Sequence, residues 1–195
     1  MRTAALERMV RSAGARRAEA GDHCGLCRAP VPEQHRHLYD VQAREVMCAC
    51  RACALLFQQQ VASNGHYRLV PQRRLRLPAF STETLGVPVG LAFFVRHGDH
   101  VVAHYPSPAG ATEWEVDAAA WRNVVAGRPE LATLEPDLEA LVVNTARGAS
   151  QHWIVPIDDC FRLVAVVRRE WRGLSGGSTV WPAITAFFEA LQDQE

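Results

Sequence analysis

Four cysteines form the residue pattern with the clearest chemistry in this sequence. Cys24 and Cys27 are separated by two residues, and Cys50 and Cys53 repeat that spacing after an interval of 22 residues. Paired cysteines at this separation are typical of structural zinc sites, because each tight turn directs two sulfurs to one centre. The pattern therefore predicts a tetrahedral metal site whose ligands are the thiolates of Cys24, Cys27, Cys50 and Cys53.

The spacing alone leaves two metals open. A shell of four thiolates holds Zn²⁺ or, as in rubredoxin, a single redox-active iron ion. Rubredoxin turns usually carry glycine directly after the second cysteine of each pair, where backbone N–H groups approach the sulfur, and this sequence has Arg28 and Ala54 there. That departure favours zinc as the cofactor and keeps iron as the alternative.

Further ligand-type residues lie beside the two pairs. Cys48 precedes Cys50 by two residues, and its participation in an iron–sulfur cluster is a minor alternative. His35 and His37 share one face of a predicted strand, with His35 expected roughly opposite Cys48, so a second site is conceivable. Histidines on a short exposed strand are more often solvated, and we assign neither of them as a ligand.

A thiol enzyme is another function class that the residues suggest. Cys160 follows Asp158 and Asp159 and lies eight residues after His152, which supplies a thiol, carboxylates and an imidazole. However, Cys160 begins the apolar run CFRLVAVV, which predicts a strand with a buried structural cysteine, and the aspartates suit a turn. Because no complete catalytic set is visible, we expect a protein that is not an enzyme.

The composition indicates which classes of partner and which cellular compartment to expect. The 195 residues carry 21 basic and 21 acidic side chains, so no net field attracts nucleic acid or anionic lipid. Every basic residue is arginine, which excludes chemistry that needs lysine, such as Schiff bases. No apolar run reaches the roughly 18 residues of a membrane span, and the start lacks the apolar centre of a secretory signal. We therefore expect a cytoplasmic protein with reduced thiols.

The fold class is predicted as α+β, with a small zinc-ribbon-like module followed by a larger mixed domain. Residues 1–20 are interpreted as an N-terminal helical segment, 21–60 as the four-cysteine ribbon around a hairpin, 61–84 as a linker whose arginines face water, and 85–195 as the α+β domain. A 40-residue ribbon cannot bury enough apolar surface to fold alone, so the metal is expected to replace the missing core.

The larger domain is predicted to consist of β-hairpins and two main helices. One hairpin joins Val89–Val95 to His100–Tyr105, and a second joins Gln151–Val155 to Cys160–Val167. The two helices follow from the spacing of apolar residues, one of them capped by Asp117 and the other near the C-terminus.

Several strings resemble an uncharacterised bacterial family, a domain of unknown function. The likeness spans about residues 20–195 and is carried by HRHLYD, CACRACALLF, YRLVPQRRLRL, YPSPAGATE, LEPDLEALVVN, PIDDCFRLV and WRGLSGG. Genes of that family often sit in clusters with nickel–iron hydrogenase genes, so the resemblance implies an accessory role beside such a hydrogenase or its maturation machinery. It assigns no catalytic residue.

Two functions follow from these observations. The first is a metal-binding accessory or adaptor protein, with zinc at the four cysteines, that docks on a protein partner. The alternative is a rubredoxin-like iron protein that serves electron transfer or hydrogenase assembly.

Overall fold

A computed structural model describes residues 22–58, 65–86, 90–173 and 176–192 of the chain. The chain divides into two units, Met1–Leu69 and Val70–Glu195. The helical segment predicted for residues 1–20 lies outside the described residues, and the four-part division of the chain stays a prediction. The α+β class is confirmed, because helices accompany two antiparallel sheets. No described helix is long and apolar enough to cross a membrane.

The first unit is built on a three-stranded antiparallel sheet. Strand β1 (Arg36–Asp40) lies in the centre, between β2 (Glu45–Ala49) and β3 (Tyr67–Leu69). Strands β1 and β2 form a hairpin between the cysteine pairs, as the sequence predicts, and helix α1 (Arg51–Leu56) follows β2 almost directly. The hairpin and the helix thus bring the second cysteine pair back toward the first.

Asp40 closes the loop of this hairpin. Its Oδ1 atom accepts hydrogen bonds from the backbone N–H groups of Gln42 and Ala43, each at 2.9 Å, and lies 3.0 Å from Nε2 of His66. The Ala43 N–H group, together with those of Gln42 and the His66 ring, holds the pKa of the Asp40 carboxyl below its usual range. The charged carboxylate therefore fixes the loop and with it the pairing of β1 with β2.

The described residues of the first unit form a small apolar core. Its buried members are Leu38, Ala49, Ala54 and Phe57, and its partly buried members are Leu26, Met47, Tyr67 and Leu69. A core of this size is below what an independent domain usually requires, so cross-links by metal or disulfide are expected in such a unit.

The second unit is organised around a six-stranded antiparallel sheet. The strands follow the order β4-β9-β8-β5-β6-β7. They are β4 (Leu75–Leu77), β5 (Leu91–His97), β6 (His100–Ser107), β7 (Gly110–Glu115), β8 (Glu139–Asn144) and β9 (Gln151–Pro156). The α-helices are α2 (Ala118–Gly127), α3 (Ile157–Glu170) and α4 (Val180–Gln192), with short 3₁₀ turns at Glu83–Leu85, Pro129–Thr133 and Ala146–Gly148.

Both faces of the six-stranded sheet are buried at strands β5, β8 and β9, whereas the edge strand β7 is largely exposed. On one face the cluster of α2 and the 3₁₀ turns covers alternate strand residues, among them Ala92, Phe94, Leu141, Val143 and Ile154. The intervening residues, such as Phe93, Val142 and Trp153, are also buried. On their side, α3 packs against strands β6 to β9 and α4 packs against α3. The sheet therefore lies between two helical layers.

The sequence locates several elements of the second unit but misassigns helix α3 as a strand. The hairpin of β5 and β6 is present, and Asp117 caps α2 by accepting a hydrogen bond from the Ala120 N–H at 2.8 Å. The predicted second hairpin is wrong, because the segment after β9 is helix α3 and not a strand. Its buried residues Ile157, Cys160, Leu163 and Val167 recur at helical spacing, with acidic residues in the first turn and arginines in the last.

The segment 61–84, predicted as a linker with arginines facing water, contains ordered strands and buried ion pairs. Strands β3 and β4 lie within it, the first in the smaller sheet and the second at the edge of the larger one. Just before β4, Arg73 forms a bidentate pair with Glu139, at 2.9 and 2.6 Å. Arg74 does the same with Asp159, at 2.6 and 3.1 Å. Both carboxylates are only 3% exposed, so these pairs fix the residues just before β4 within the second unit.

We predict that Arg74→Ala lowers the free energy of unfolding of the second unit by about 3 kcal/mol, because Arg162 is then the one cation that pairs with the buried Asp159 charge among the described residues. Urea unfolding followed by tryptophan fluorescence measures this, since all five tryptophans lie between residues 114 and 181. The exposed Arg122→Ala on α2 is the control and should change stability by less than about 0.5 kcal/mol. Equal stability of the two variants would contradict the prediction.

Candidate metal centre

The four predicted cysteines converge in the first unit. The sulfurs of Cys24, Cys27, Cys50 and Cys53 all lie within 4.8 Å of one another. The Sγ atoms of Cys27 and Cys50 are 3.5 Å apart, far longer than the bond of about 2.05 Å in a disulfide. The edge of a tetrahedron of sulfurs around zinc, at Zn–S distances of about 2.3 Å, is roughly 3.8 Å. The four thiols therefore have the spacing of a metal site.

A tight turn presents the first pair. The N–H of Cys24 donates to the carbonyl of Ala29 at 2.8 Å, and the N–H of Arg28 donates to the carbonyl of Cys24 at 2.9 Å. Arg28 has φ +62°, the left-handed conformation that glycine usually supplies. The turn thus has the backbone geometry expected of a metal-binding knuckle, although its sequence carries arginine at that place.

Gly25 joins this turn to strand β2. Its N–H donates to the carbonyl of Cys48 at 2.8 Å. A Cβ atom at position 25 would lie 2.9 Å from the Cβ of Met47, so only glycine permits the backbones to approach so closely. This contact brings the first cysteine pair to the end of β2, where the second pair begins.

The start of helix α1 presents the second pair. Cys50 is its N-cap, and its sulfur accepts a hydrogen bond from the N–H of Cys53 at 3.5 Å. The N–H of Ala54 donates to the carbonyl of Cys50 at 2.8 Å. Because Ala54 lies inside the helix, the second turn has no position that requires glycine.

The surroundings of the four thiols give them different pKa values. Burial by itself raises the pKa of Cys24, but the backbone N–H groups of Cys27, Cys50 and Leu26 lower it to about 6. Burial and the neighbouring cysteine side chains raise the pKa of Cys53 to about 12. The thiols of Cys24 and Cys53 therefore differ in how readily they lose a proton. A bound dication would favour the thiolate form of all four, so binding would release protons.

Cys48, His35 and His37 form a second group. Their ligand atoms also lie within 4.8 Å of one another. The register differs from the expected one, because His37 and not His35 lies opposite Cys48. Cys48 therefore belongs with the two histidines, and its participation in a cluster with the four cysteines gains no support from the described residues.

The residues considered for a thiol enzyme are not brought together. The side chain of His152 lies on the same face of the sheet as that of Ile154, two residues along β9. Its ring packs on the Phe80 ring at a centroid distance of 4.5 Å. Cys160 is fully buried on α3, which covers the opposite face of the sheet. Burial, Asp159 and Asp158 raise the pKa of the Cys160 thiol well above its ordinary value, which is the opposite of what a nucleophile requires.

Comparison with known proteins identifies a family without an assigned activity. The family of unknown function DUF5947 matches residues 23–195, so the chain belongs to that family. No curated protein matches the chain, and no solved structure matches it. The resemblance inferred from the sequence strings is thus confirmed as far as an uncharacterised family.

We predict that Cys24→Ser releases the metal from the four-cysteine centre and unfolds residues 22–58, because three ligands and the small apolar core cannot hold this part of the chain. Elemental analysis measures the lost metal, and hydrogen exchange of residues 22–58 measures the unfolding. Tryptophan fluorescence should be unchanged, because every tryptophan lies in the second unit.

Cys160→Ser is the matched control for this variant. It removes one thiol from the chain but lies outside both groups of candidate ligands, so the metal content should stay at the wild-type value. Full metal content in Cys24→Ser would show that the four-ligand assignment is wrong.

Proposed function

We propose that this member of the DUF5947 family is a zinc-binding accessory or adaptor protein, not an enzyme, whose four-cysteine centre shapes a docking surface for a protein partner. The observation that carries the proposal is the convergence of four sulfurs from two separate turns beside a very small core. A structural metal in such a unit contributes folding free energy directly, on the order of 10–16 kcal/mol in small zinc modules.

The donor set favours zinc. Four thiolates complete a closed tetrahedral shell and leave no position for water or substrate, which is the arrangement of structural zinc sites. Zinc has no redox chemistry, so a centre of this kind serves shape and stability. The exposed helix that follows it is then the part of the module available for recognition.

Helix α1 provides this surface. It is capped by Cys50 and contains Cys53, and its residues Leu55 and Leu56 are 55% and 59% exposed. Two adjacent leucines with this exposure, on a helix fixed by metal ligands, are suited to contact an apolar patch of another protein. The balanced charge of the chain also favours a protein over nucleic acid as the partner.

The resemblance noted from the sequence suggests which partner to test first. The gene neighbourhood implied by that resemblance makes a nickel–iron hydrogenase, or a protein of its maturation machinery, the first candidate. A cytoplasmic location with reduced thiols is part of the same proposal, because the ligands must be free of disulfides to bind metal.

A single iron ion is the second candidate cofactor. The observation that favours it is the exposure of Cys27, because an exposed ligand places the metal near the surface, where electrons can pass to another protein. The function would then be rubredoxin-like electron transfer or hydrogenase assembly.

Purification in air, from cells supplied with both metals, distinguishes the two cofactors. We predict that elemental analysis finds zinc at the four cysteines and that the protein is colourless. Iron in the ferric state, bound to four thiolates, would give a strongly coloured protein through charge transfer from sulfur. Such a spectrum, lost in Cys24→Ser, would refute zinc and establish the iron alternative.

We further predict that the double variant Leu55→Ser, Leu56→Ser loses at least ten-fold in affinity for the partner while its metal content is unchanged, since both side chains lie outside the ligand set. Pull-down with purified hydrogenase and maturation proteins measures binding. Phe161→Ser is the control, because Phe161 is 47% exposed but lies on α3 of the second unit. Unchanged binding by the double variant would show that α1 is not the docking surface.

A further inference from the structure

The second group of ligand-type residues lies on one face of the first hairpin. His37 on β1 is directly opposite Cys48 on β2, and His35 precedes β1 with the same side-chain parity as His37. The rings of His35 and His37 have centroids 4.7 Å apart. The neighbouring pair Leu38 and Met47 points to the other face, where it belongs to the apolar core. The hairpin thus separates two imidazoles and a thiol from the core.

The hydrogen bonding of His35 leaves one of its ring nitrogens available to bind a metal ion. Nδ1 lies 2.8 Å from the carbonyl oxygen of Pro32. A carbonyl only accepts, so Nδ1 is the donor, and Nε2 is the nitrogen whose lone pair the neutral ring offers to a metal. Nε2 is buried and has no hydrogen-bond partner among the described residues. A histidine that binds metal through one nitrogen commonly donates from the other to a backbone carbonyl, which fixes the ring and its tautomer.

We propose that Nε2 of His35, a ring nitrogen of His37 and Sγ of Cys48 bind a second metal ion, of the Zn²⁺ type. Two imidazoles and one thiolate are ligands that zinc accepts readily. Three protein ligands leave the fourth position of a tetrahedron open to water or to a side chain of another protein. Binding forms two bonds from nitrogen and one from sulfur, and the Cys48 thiol gives its proton to solvent.

The second ion is separate from the four-cysteine centre. The two ligand sets have no residue in common, so the inference does not depend on whether the first metal is zinc or iron, or on any partner. Three protein ligands hold an ion less firmly than four thiolates. The second site should therefore fill after the first and release its metal first to a chelator.

The closing experiment uses the full chain, reduced and freed of metal, and Zn²⁺ alone as the probe. Equilibrium dialysis followed by elemental analysis should find two zinc ions per wild-type chain. His35→Gln, His37→Gln and Cys48→Ser should each bind one. His100→Gln, which removes an exposed histidine on β6 of the second unit, should still bind two. The remaining ion in each variant shows that the four-cysteine module still folds.

The spectrum of the Co²⁺-substituted protein gives a second measurement. The second equivalent of Co²⁺ should add a sulfur-to-metal charge-transfer band of one thiolate in wild type and in His100→Gln, and this band should be absent in Cys48→Ser. A mild chelator should remove this equivalent while leaving the first in place.

Several results would overturn the second site. They are a single zinc ion in wild type, two ions in all three ligand variants, or the loss of both ions in His35→Gln and Cys48→Ser, which would indicate one polynuclear centre. Binding of Cu²⁺ but not Zn²⁺ by the second group would refute the zinc assignment. Failure of the proposed adaptor function is distinguishable from failure of the second site. It would appear as absent partner binding or as a first metal other than zinc, while the second zinc ion, which depends on His35, would still bind.

Discussion

The convergence of four cysteine sulfurs is the constraint on which the first unit depends. Among the described residues its apolar core has four buried members, too few to offset the chain entropy of ordering two turns, a hairpin and a short helix. Bonds from one ion to Cys24, Cys27, Cys50 and Cys53 would cross-link all of these elements. The local features that look unfavourable, such as Arg28 at φ +62°, are consistent with a unit held by metal ligation.

The second unit is stabilised in a different way. Its sheet is buried on both faces at β5, β8 and β9, and Arg73 and Arg74, just before β4, each form a bidentate pair with a buried carboxylate. The planar guanidinium matches the two oxygens of a carboxylate, a geometry that lysine does not offer. The exclusive use of arginine in this chain thus has a structural consequence at Arg73 and Arg74.

The sequence predicts the clustering of the four cysteines better than it predicts the surrounding elements. The spacing of the four cysteines is sufficient to predict that they converge, because a tight turn with two residues between the cysteines directs both sulfurs to one centre. Helix α3 is missed because CFRLVAVV is also a plausible buried strand, and only the wider spacing from Ile157 to Val167 shows the helical period. The ion pairs of Arg73 and Arg74 are not predicted, because the carboxylates that they bind are 66 and 85 residues away in sequence. The family is confirmed over residues 23–195. The genes that neighbour its members are not a property that a fold can show.

The register of the first hairpin decides which chemistry each of its faces carries. A turn near Val41–Gln42 would place His35 opposite Cys48, but the loop spans residues 41–44 and places His37 there. Asp40 imposes that loop through its bonds to the N–H groups of Gln42 and Ala43. A slip by one residue would turn Leu38 away from the core or place both imidazoles on the face opposite Cys48. The carboxylate at the end of β1 therefore stabilises the core on one face and, by the same pairing, assembles two histidines and a cysteine on the other.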